Sequence, residues 1–360
     1  MRSWVEVSRS RILENFGAVR KLVGGAAEIM PVVKADAYRH GAIEISRLLE
    51  SEGAGWFGVS NVEEACVLRQ AGVRARILVM ADFLPEEREA LEKFHLTPVI
   101  HSLDDLRDAR VPYHLKIDSG MGRLGARADA EEILRAVVAA PAPLEGLMTH
   151  FASAANYEST QTEEQIARFD RIVAAFRAAG IEPRYVHLSS TTPVAYRRVA
   201  AWGNLVRPGH AIYGYVSQAR GAAAAALSVK PALSWKATVL SVKSIEAGAL
   251  IGYGGMHRAA RPMKIAVLAA GYADGIPHRL SNRGKVIAQG KLAPIVGAVS
   301  MDMTTIDATA TDLRAGDAVT LLGSEGGVSI DAQQIARWAG TISYSVLCGI
   351  HARVKRVYVD

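Results

Sequence analysis

A lysine at the end of a short apolar run is the residue best placed to do chemistry in this chain. Pro31 to Val33 is typical of a buried parallel strand, and Lys34 follows it directly. Side chains at the carboxyl ends of such strands face the crevice in which α/β folds bind ligands. A desolvated amine there is biased toward its neutral, nucleophilic form, which Schiff-base chemistry with a carbonyl compound requires. The alternative is a lysine that caps a strand and extends into solvent.

Further polar residues follow later apolar runs of the same kind, so we expect them to converge on one mouth of the fold. They are Tyr38 after the first run, Lys116, Asp118 and Arg123 after the fifth, His150 after the sixth, Ser189, Ser190 and Thr191 after the seventh, and Arg207, Gly209 and His210 in the eighth. Hydroxyls and backbone N–H groups on the last two runs are what a phosphate binds. Simple turns would use the same residue types.

The elements that must position these residues are eight apolar runs separated by segments of helical periodicity. The runs are Ile29 to Val33, Trp56 to Val59, Ile77 to Met80, Thr97 to Ile100, Tyr113 to Ile117, Leu144 to Met148, Tyr185 to Leu188 and Leu205 to Tyr213. The clearest helical candidates are Val62 to Ala71, Pro85 to Phe94, Asp129 to Ala139 and Thr162 to Ala179. This alternation predicts an α/β fold whose amino-terminal part is a (β/α)8 TIM barrel. An open doubly wound sheet would give a similar pattern.

The sequence changes character after Gly221. An alanine run at residues 222–226, which we interpret as a linker or a short helix, leads into many short strand patterns with glycine turns. We therefore predict a barrel domain over residues 1–227 and an all-β or mostly β domain over residues 228–360. The first few residues are strand-like and are candidates to pair with the second domain.

Composition excludes several classes of function. The chain has 360 residues, a formal charge of +6, 50% hydrophobic and 22% charged residues, and no apolar run long enough to span a bilayer. Because its basic residues are dispersed and not interleaved with aromatics, we expect neither nucleic acid nor a membrane as a partner. The start lacks a signal-peptide core, which favours the cytoplasm. Cys66 and Cys348 have no disulfide or metal-binding pattern, and we expect no metal.

Eight motifs in this order give the chain a family resemblance over nearly its whole length. It resembles the alanine racemases, fold-type III enzymes that use pyridoxal 5'-phosphate. The motifs are V-V-K-A-D-A-Y at 32–38, L-K-I-D-S-G-M-G-R-L-G at 115–125, M-T-H-F at 148–151, V-R-P-G-H-A-I-Y-G at 206–214, I-G-Y-G-G at 251–255, G-Y-A-D-G at 271–275, V-S-M-D-M at 299–303 and T-I-S-Y at 341–344.

The resemblance implies a two-base racemase of L- and D-alanine. Lys34 would hold the cofactor and then serve as the base on one face of the substrate carbon, while Tyr253 of the partner subunit would serve on the other face. Each site would thus need two chains, so the enzyme would be an obligate homodimer. In this family D-alanine is made for peptidoglycan.

The resemblance also assigns the supporting residues. His150 and Arg207 would connect the tyrosine base to the pyridine end of the cofactor. Lys116 matches a lysine carried as a carbamate, and Arg123 matches an arginine that contacts the cofactor's phenolic oxygen. The remaining matches are Tyr38, Thr191, Tyr344, Gly209 and His210, together with Ser190, at the phosphate, and Met301 and Tyr272 at the substrate pocket and its entrance.

Three positions depart from the family pattern. Arg39 stands in place of a glycine, Ser300 in place of a common cysteine, and Ala155-Asn156 where acidic residues often occur. They concern the polarity of the entrance and the breadth of substrates, so a serine racemase or one of broader specificity is an alternative.

Other classes of protein fit less well. A carrier that binds pyridoxal phosphate without catalysis lacks the second domain. A metal-dependent hydrolase needs a His-x-His pair near the first strand, and an amino-acid decarboxylase needs a carboxylate in place of Arg207.

Overall fold

The computed structural model describes residues 1–81 and 83–360, which form two compact units. One, called the barrel unit here, comprises Arg11–Ala37 and Gly41–Lys230. The other, called the β unit, comprises Met1–Ser10, Tyr38–His40 and Pro231–Asp360. Among the described residues, no helix combines the length and the apolar character that crossing a bilayer requires.

The barrel unit contains eight strands in chain order. They are Glu28–Ile29, Trp56–Val59, Arg76–Val79, Thr97–Ile100, Tyr113–Lys116, Leu144–Met148, Tyr185–His187 and Leu205–Val206. The second to seventh strands pair in parallel with their sequence neighbours. The first pairs in parallel with the eighth, a bridge between Val32 and Gly58 joins it to the second, and the N–H of Arg207 donates to the carbonyl of Ser189 on the seventh. The ring is closed, which confirms the TIM barrel over the open sheet.

The first and last barrel strands are shorter than the apolar runs suggested. Regular pairing covers two residues of each, because Pro31 and Pro208 lack the N–H that a ladder needs. Isolated hydrogen bonds continue the contact, from the N–H of Met30 to Val206 at 2.8 Å and from the N–H of Val32 to Pro208 at 2.9 Å.

Helices surround the barrel strands as the periodicity predicted. The α-helices of this part of the chain are Arg9–Val23, Lys34–Arg39, Ala42–Ser51, Val62–Gln70, Arg88–Lys93, Ala130–Ala139, Gln161–Ala178 and Thr191–Ala195, and short 3-10 turns cover Pro85–Glu87, Asp105–Asp108 and Val199–Ala201. Two of them begin at side-chain caps. Asn61 accepts the N–H of Glu64 at 2.9 Å, and Asp129 accepts the N–H of Glu132 at 2.8 Å.

The helix that begins at Lys34 has an unusual hand. Residues Ala35 to Arg39 all have φ between 52° and 66°, the left-handed region, which costs an L-residue roughly 1–2 kcal/mol. Two carboxylates stabilise this segment. Glu64 accepts the N–H of Ala35 at 2.7 Å, and Asp36 accepts the N–H of Ala42 at 2.8 Å. The sequence gave no signal for this turn, since none of its residues is a glycine.

The left-handed turn predicts an unusual response to glycine at Arg39, where φ is 66°. Arg39→Gly should be more stable than Arg39→Ala by about 1 kcal/mol, because glycine adopts this conformation without a Cβ clash. Urea unfolding of the two variants measures the difference.

The matched control for this prediction is Arg47, an exposed residue in the right-handed helix Ala42–Ser51. There the order should reverse, with glycine less stable than alanine by about 1 kcal/mol. The same order at both positions would contradict the strain at Arg39.

The β unit is built around one long strand, Leu233–Ile245. It pairs antiparallel with Ser3–Ser8, Met263–Leu268 and Ala318–Glu325, and Ser3–Ser8 pairs in parallel with Lys355–Val359. The other strands are Leu250–Ile251, His257–Arg258, Lys285–Ala288, Lys291–Pro294, Thr304–Asp307 and Val328–Ile330, with 3-10 turns at Tyr253–Gly255, Tyr272–Asp274 and His278–Leu280. Residues 222–226 have neither helix nor strand, so the alanine run is a linker.

Two helices near the carboxyl end were missed by the all-β interpretation. They are Ala332–Ala339 and Ser343–Gly349. The first begins at a cap, where Asp331 accepts the N–H of Gln334 at 2.7 Å, and ends at Gly340, whose φ is 65°. Its buried residues, Ala332, Ile335, Ala336 and Ala339, have the three-and-four spacing of an amphipathic helix, so the signal was present in the sequence.

Candidate active site

The carboxyl ends of the barrel strands bring five of the predicted residues into one electrostatic cluster. The charges of Lys34, Arg123 and Arg207 all act on Lys116, and the same three act on His150. Lys116 and Arg207 are 5% and 2% exposed. The residues follow the first, fifth, sixth and eighth strands, as expected for a site assembled from barrel loops.

Lys116 is the most perturbed amine of this cluster. Burial, followed by the charges of Arg123, Arg207 and Lys34, lowers its pKa to about 8, with Asp118 acting in the opposite direction. A much larger fraction of its amine is therefore neutral at pH 7 than for an exposed lysine.

Arg207 is held by neutral acceptors on three sides. Its Nη1 donates to Nδ1 of His187 at 2.8 Å, and its Nη2 donates to the carbonyls of Thr149 at 2.7 Å and Leu188 at 2.9 Å. Nη2 also lies 3.3 Å from Nδ1 of His150. Burial lowers the pKa of Arg207 to about 9, so it remains charged at neutral pH.

His150 is neutral in this environment. Burial lowers its pKa to about 3, helped by the charges of Arg207, Lys116 and Arg123. Because the guanidinium can only donate, Nδ1 accepts and the proton of the imidazole is on Nε2. His187 has the same kind of contact and was not selected from the sequence, although it ends the seventh barrel strand.

The loop that carries Arg123 is organised by Asp118. Its Oδ1 accepts three successive backbone N–H groups, from Gly120 at 3.1 Å, Met121 at 2.9 Å and Gly122 at 3.0 Å. Burial raises the pKa of Asp118, but these three donors outweigh it and the pKa lies below its usual value. The carboxylate therefore fixes the turn in its ionised form.

We expect Asp118→Ala to lower the free energy of unfolding by about 2 kcal/mol, because three N–H groups lose a charged acceptor. Since the folded-state pKa is depressed, the stabilisation is complete above about pH 4 and is lost as the pH falls through the folded-state value. Urea unfolding at pH 7 and at successively lower pH checks this. A difference between the two proteins that stays constant below pH 4 would contradict it.

The last two barrel strands place a hydroxyl where a phosphate was expected. Thr191 is 4% exposed, and its Oγ accepts the N–H groups of Gly209 at 3.1 Å and Ala211 at 3.2 Å. Since this oxygen already accepts two hydrogen bonds, its own O–H is directed to a further acceptor. The N–H of Gly209 thus supports Thr191. Ser190 precedes the short helix that starts at Thr191, and the ring of His210 stacks on Tyr215 with centroids 4.9 Å apart.

Two predicted phosphate contacts lie side by side in the β unit. The rings of Tyr38 and Tyr344 have centroids 5.9 Å apart. Beside Tyr38, Nε of Arg39 donates to the carbonyl of Cys348 at 3.3 Å, and Nε of Arg356 donates to the carbonyl of Arg39 at 3.1 Å. These bonds tie the end of the left-handed turn to the β unit's last helix and strand.

Tyr272 and Met301 lie on paired loops of the β unit. The N–H of Tyr272 donates to Ser300 at 2.9 Å, and a Cβ on Gly271 would lie 2.3 Å from the same carbonyl, so only glycine fits there. Arg353 bridges the loops through Asp274 at 2.7 Å and Asp302 at 2.8 Å. The backbone is fixed, while the side chains of Tyr272 and Met301 are 45% and 54% exposed.

Tyr253 is the most exposed of the predicted site residues, at 78%. It begins a short turn after Gly252, whose φ is 72° and where a Cβ would meet the backbone nitrogen of Ala298 at 3.3 Å. Glycine is therefore required at residue 252 for the turn to pack on the segment that leads to Met301.

The cluster can bind an anion and activate an amine. Four cations, Lys34, Lys116, Arg123 and Arg207, act on one another or on the same neighbours, with Asp118 as the opposing charge. Such an excess of buried positive charge favours a ligand that carries a phosphate or a phenolate. It also favours the neutral form of each amine.

Comparison with known families matches both parts of the chain. The model of the alanine racemase amino-terminal domain matches residues 7–217, and that of the alanine racemase carboxy-terminal domain matches residues 232–358.

Individual relatives agree with these matches. An alanine racemase of Carboxydothermus hydrogenoformans is 38% identical over 99% of both chains. The crystal structure of the alanine racemase from Bacillus anthracis with bound L-Ala-P superposes with a TM-score of 0.92 at 30% identity, covering 100% of this chain and 95% of that one. The alanine racemase from Bartonella henselae with covalently bound pyridoxal phosphate gives 0.88 at 26% identity over 100% of both chains.

Proposed function

The chain belongs to the alanine racemase family and is an amino-acid racemase, and we propose that it interconverts L- and D-alanine with pyridoxal 5'-phosphate, using Lys34 and Tyr253 on opposite faces of the substrate carbon. The observation that supports this best is the buried cation cluster around Lys34. It favours both a neutral lysine and an anionic cofactor.

The residues present fit this cofactor. Lys34 would attach it, Arg207 would face its ring nitrogen, Arg123 its phenolic oxygen, and a hydroxyl and backbone cluster its phosphate. The phosphate set is Tyr38, Ser190, Thr191, Gly209, His210 and Tyr344. Bound pyridoxal phosphate supplies an electron sink that delocalises the electron pair left on the substrate carbon when its proton is removed. The outward O–H of Thr191 and the excess positive charge are the features of this chain that match its phosphate.

Lys34 and Tyr253 would each remove or return a proton at the substrate carbon. A free tyrosine has a pKa of about 10 and is a weak base at neutral pH unless its phenolate is stabilised. His150, held neutral, and the charged Arg207 are suited to that role. Arg207 cannot accept a proton, so it disfavours a proton on the nitrogen that it faces. A weaker electron sink costs rate but favours racemisation over transamination.

A second copy of the chain is proposed as the partner. The β unit exposes several large apolar side chains around its predicted site residues, which a monomer rarely leaves in water. They are Leu250, Tyr253, Met256, Tyr272, Met301 and Met303. Covering them with the second chain would place Tyr253 in the partner's site, making a homodimer with shared active sites. D-alanine for peptidoglycan, made in the cytoplasm, is the proposed use.

The test of the proposed function follows inversion of pure L-alanine and pure L-serine with added pyridoxal phosphate, by coupled D-amino acid oxidase. We expect rapid inversion of alanine, because Tyr253, Met301 and Tyr344 would leave room for little more than a methyl group. Comparable inversion of serine would identify the broader-specificity alternative, to which Ser300 and Arg39 draw attention. Cofactor binding with no inversion of either would favour a carrier protein.

We further propose that Lys116 is carbamylated. Its neutral amine would attack CO2, so that a C–N bond forms, one C=O bond becomes C–O⁻, and a proton leaves for water. The product reverses the charge of Lys116 and relieves its repulsion with Arg123. His101 supports this, because it is 8% exposed and neither ring nitrogen has a partner among the described residues. Burial and the charges of Lys116 and Arg123 lower its pKa to about 4, so it is a neutral donor.

We expect protein equilibrated with ¹³C-bicarbonate to give one ¹³C carbamate resonance per chain. Lys116→Met should abolish it, and Lys93→Met, which changes a lysine on the helix Arg88–Lys93, should not. An unmodified amine at Lys116 in electron density, with no such resonance, would contradict the carbamate.

A further inference from the structure

A line of polar side chains crosses the interior of the barrel, where packed apolar residues are the rule. Nη1 of Arg207 lies 2.8 Å from Nδ1 of His187, and Nε2 of His187 lies 2.7 Å from Nδ1 of His114. Nε2 of His114 lies 3.7 Å from Oε2 of Glu145. Both histidines are 0% exposed.

The two ends of this line determine where every proton is. A guanidinium only donates, so Nδ1 of His187 accepts and its proton is on Nε2. That proton is donated to Nδ1 of His114, whose own proton must then be on Nε2, facing the carboxylate of Glu145. The 3.7 Å contact is longer than a hydrogen bond, so Glu145 acts on this N–H by charge. Burial lowers the pKa of both histidines, which keeps them neutral.

The far end of the line is a well-held ion pair. Glu145 accepts from Arg76, whose guanidinium lies 4.0 Å from the centroid of the Trp56 ring. Burial would raise the pKa of Glu145, but His114 and Arg76 lower it to about 2, so it stays charged. Glycine at residue 146 makes room for the line, because a Cβ there would lie 2.8 Å from Nδ1 of His114.

We propose that Glu145 is a positioning residue that acts on Arg207 from the opposite end of the barrel, by fixing one tautomer of His114 and through it one tautomer of His187. The opposite tautomers would turn an N–H of His187 toward the guanidinium, and one of the two groups would have to move. The charge of Glu145 therefore maintains the acceptor that holds Arg207.

A purely structural role is a poor explanation of this arrangement. Buried ion pairs and imidazoles are often replaced by apolar residues at no loss of stability, and the barrel interior suits such residues. A line whose proton positions are fixed by a donor at one end and an acceptor at the other is instead what orientation of a functional group requires.

The first test is made on the wild-type apoprotein, so it does not depend on racemase activity. Long-range ¹H–¹⁵N spectra of ¹⁵N-histidine-labelled protein should show two buried neutral imidazoles protonated at Nε2, assigned with His114→Gln and His187→Gln. Either histidine found protonated at Nδ1, or at both nitrogens, overturns the proposal. This result stands even if the chain fails to invert alanine.

The second test compares Glu145→Gln with Glu6→Gln. Glu6 is also a carboxylate in an ion pair, with Lys236 at 2.9 Å, but it lies in the β unit outside this line. Resting on the proposed function, we expect Glu145→Gln to mix the tautomers in the apoprotein spectrum and to lower kcat for alanine about tenfold, with KM within about twofold. Glu6→Gln should change neither. Unchanged tautomers or an unchanged kcat in Glu145→Gln overturns the proposal, and Glu145→Asp should restore both readouts in part.

Discussion

Replacing Lys34 by alanine is expected to lower alanine inversion by a factor of roughly 10⁴ or more. A positioned acid–base group alone contributes about 10²–10⁴, and this variant also loses the amine that would attach the cofactor. Lys34 lies among the charges of Lys116, Arg123 and Arg207, and that setting is what would keep its amine reactive. Inversion by coupled D-amino acid oxidase gives the rate, and borohydride reduction reports whether cofactor is attached to the chain.

Two controls separate the chemistry of Lys34 from damage to the fold. Lys21→Ala removes an exposed lysine from the helix Arg9–Val23 and should leave inversion unchanged. Lys34→Arg keeps a positive charge but should be as inactive as the alanine variant, since a guanidinium is not deprotonated near neutral pH. A Lys34→Ala protein that still inverts alanine at the wild-type rate would contradict the assignment.

Tyr253→Phe is expected to lower inversion about 10²- to 10⁴-fold while changing the free energy of unfolding very little. The stability expectation follows from exposure, because the ring is 78% exposed on its turn and the hydroxyl deletion leaves no cavity. The activity expectation follows from the loss of one of two bases. In deuterated water, exchange of the substrate α-hydrogen should survive for one enantiomer, the one whose proton faces Lys34.

The control for this prediction is Tyr358→Phe, on the strand Lys355–Val359 of the same unit. It removes a phenol hydroxyl from a residue with no assigned role, and inversion should be unchanged. Exchange of both enantiomers at the wild-type rate in Tyr253→Phe would show that another group supplies the second base.

The barrel could be predicted because each of its strands is a local event in the sequence. A short apolar run followed by a polar residue, as at Leu144 to Met148 before His150, fixes both the strand and the end at which the polar side chain lies. The motif order then identified the family. The two helices after Asp331 were also readable from local spacing, and glycine turns nearby drew attention away from it.

What could not be predicted depends on contacts between distant residues. The left-handed turn after Lys34 contains no glycine, and it is stabilised in part by Glu64, 29 positions from Ala35. Likewise, the line from Arg207 to Glu145 uses single polar residues on separate strands, each of which looks like an isolated substitution in an apolar run. No pattern in one segment reports such a set.

The central claim is that one site uses Lys34 from one chain and Tyr253 from another, and mixing two inactive variants tests it most directly. Lys34→Ala and Tyr253→Phe chains with different tags are dissociated, mixed in equal amounts and reassociated, and mixed dimers are isolated by both tags. Half of a random mixture is mixed dimer with one intact site, so activity should return to about one quarter of wild type before isolation and about one half after it. Mixed dimers as inactive as their parents would contradict the claim.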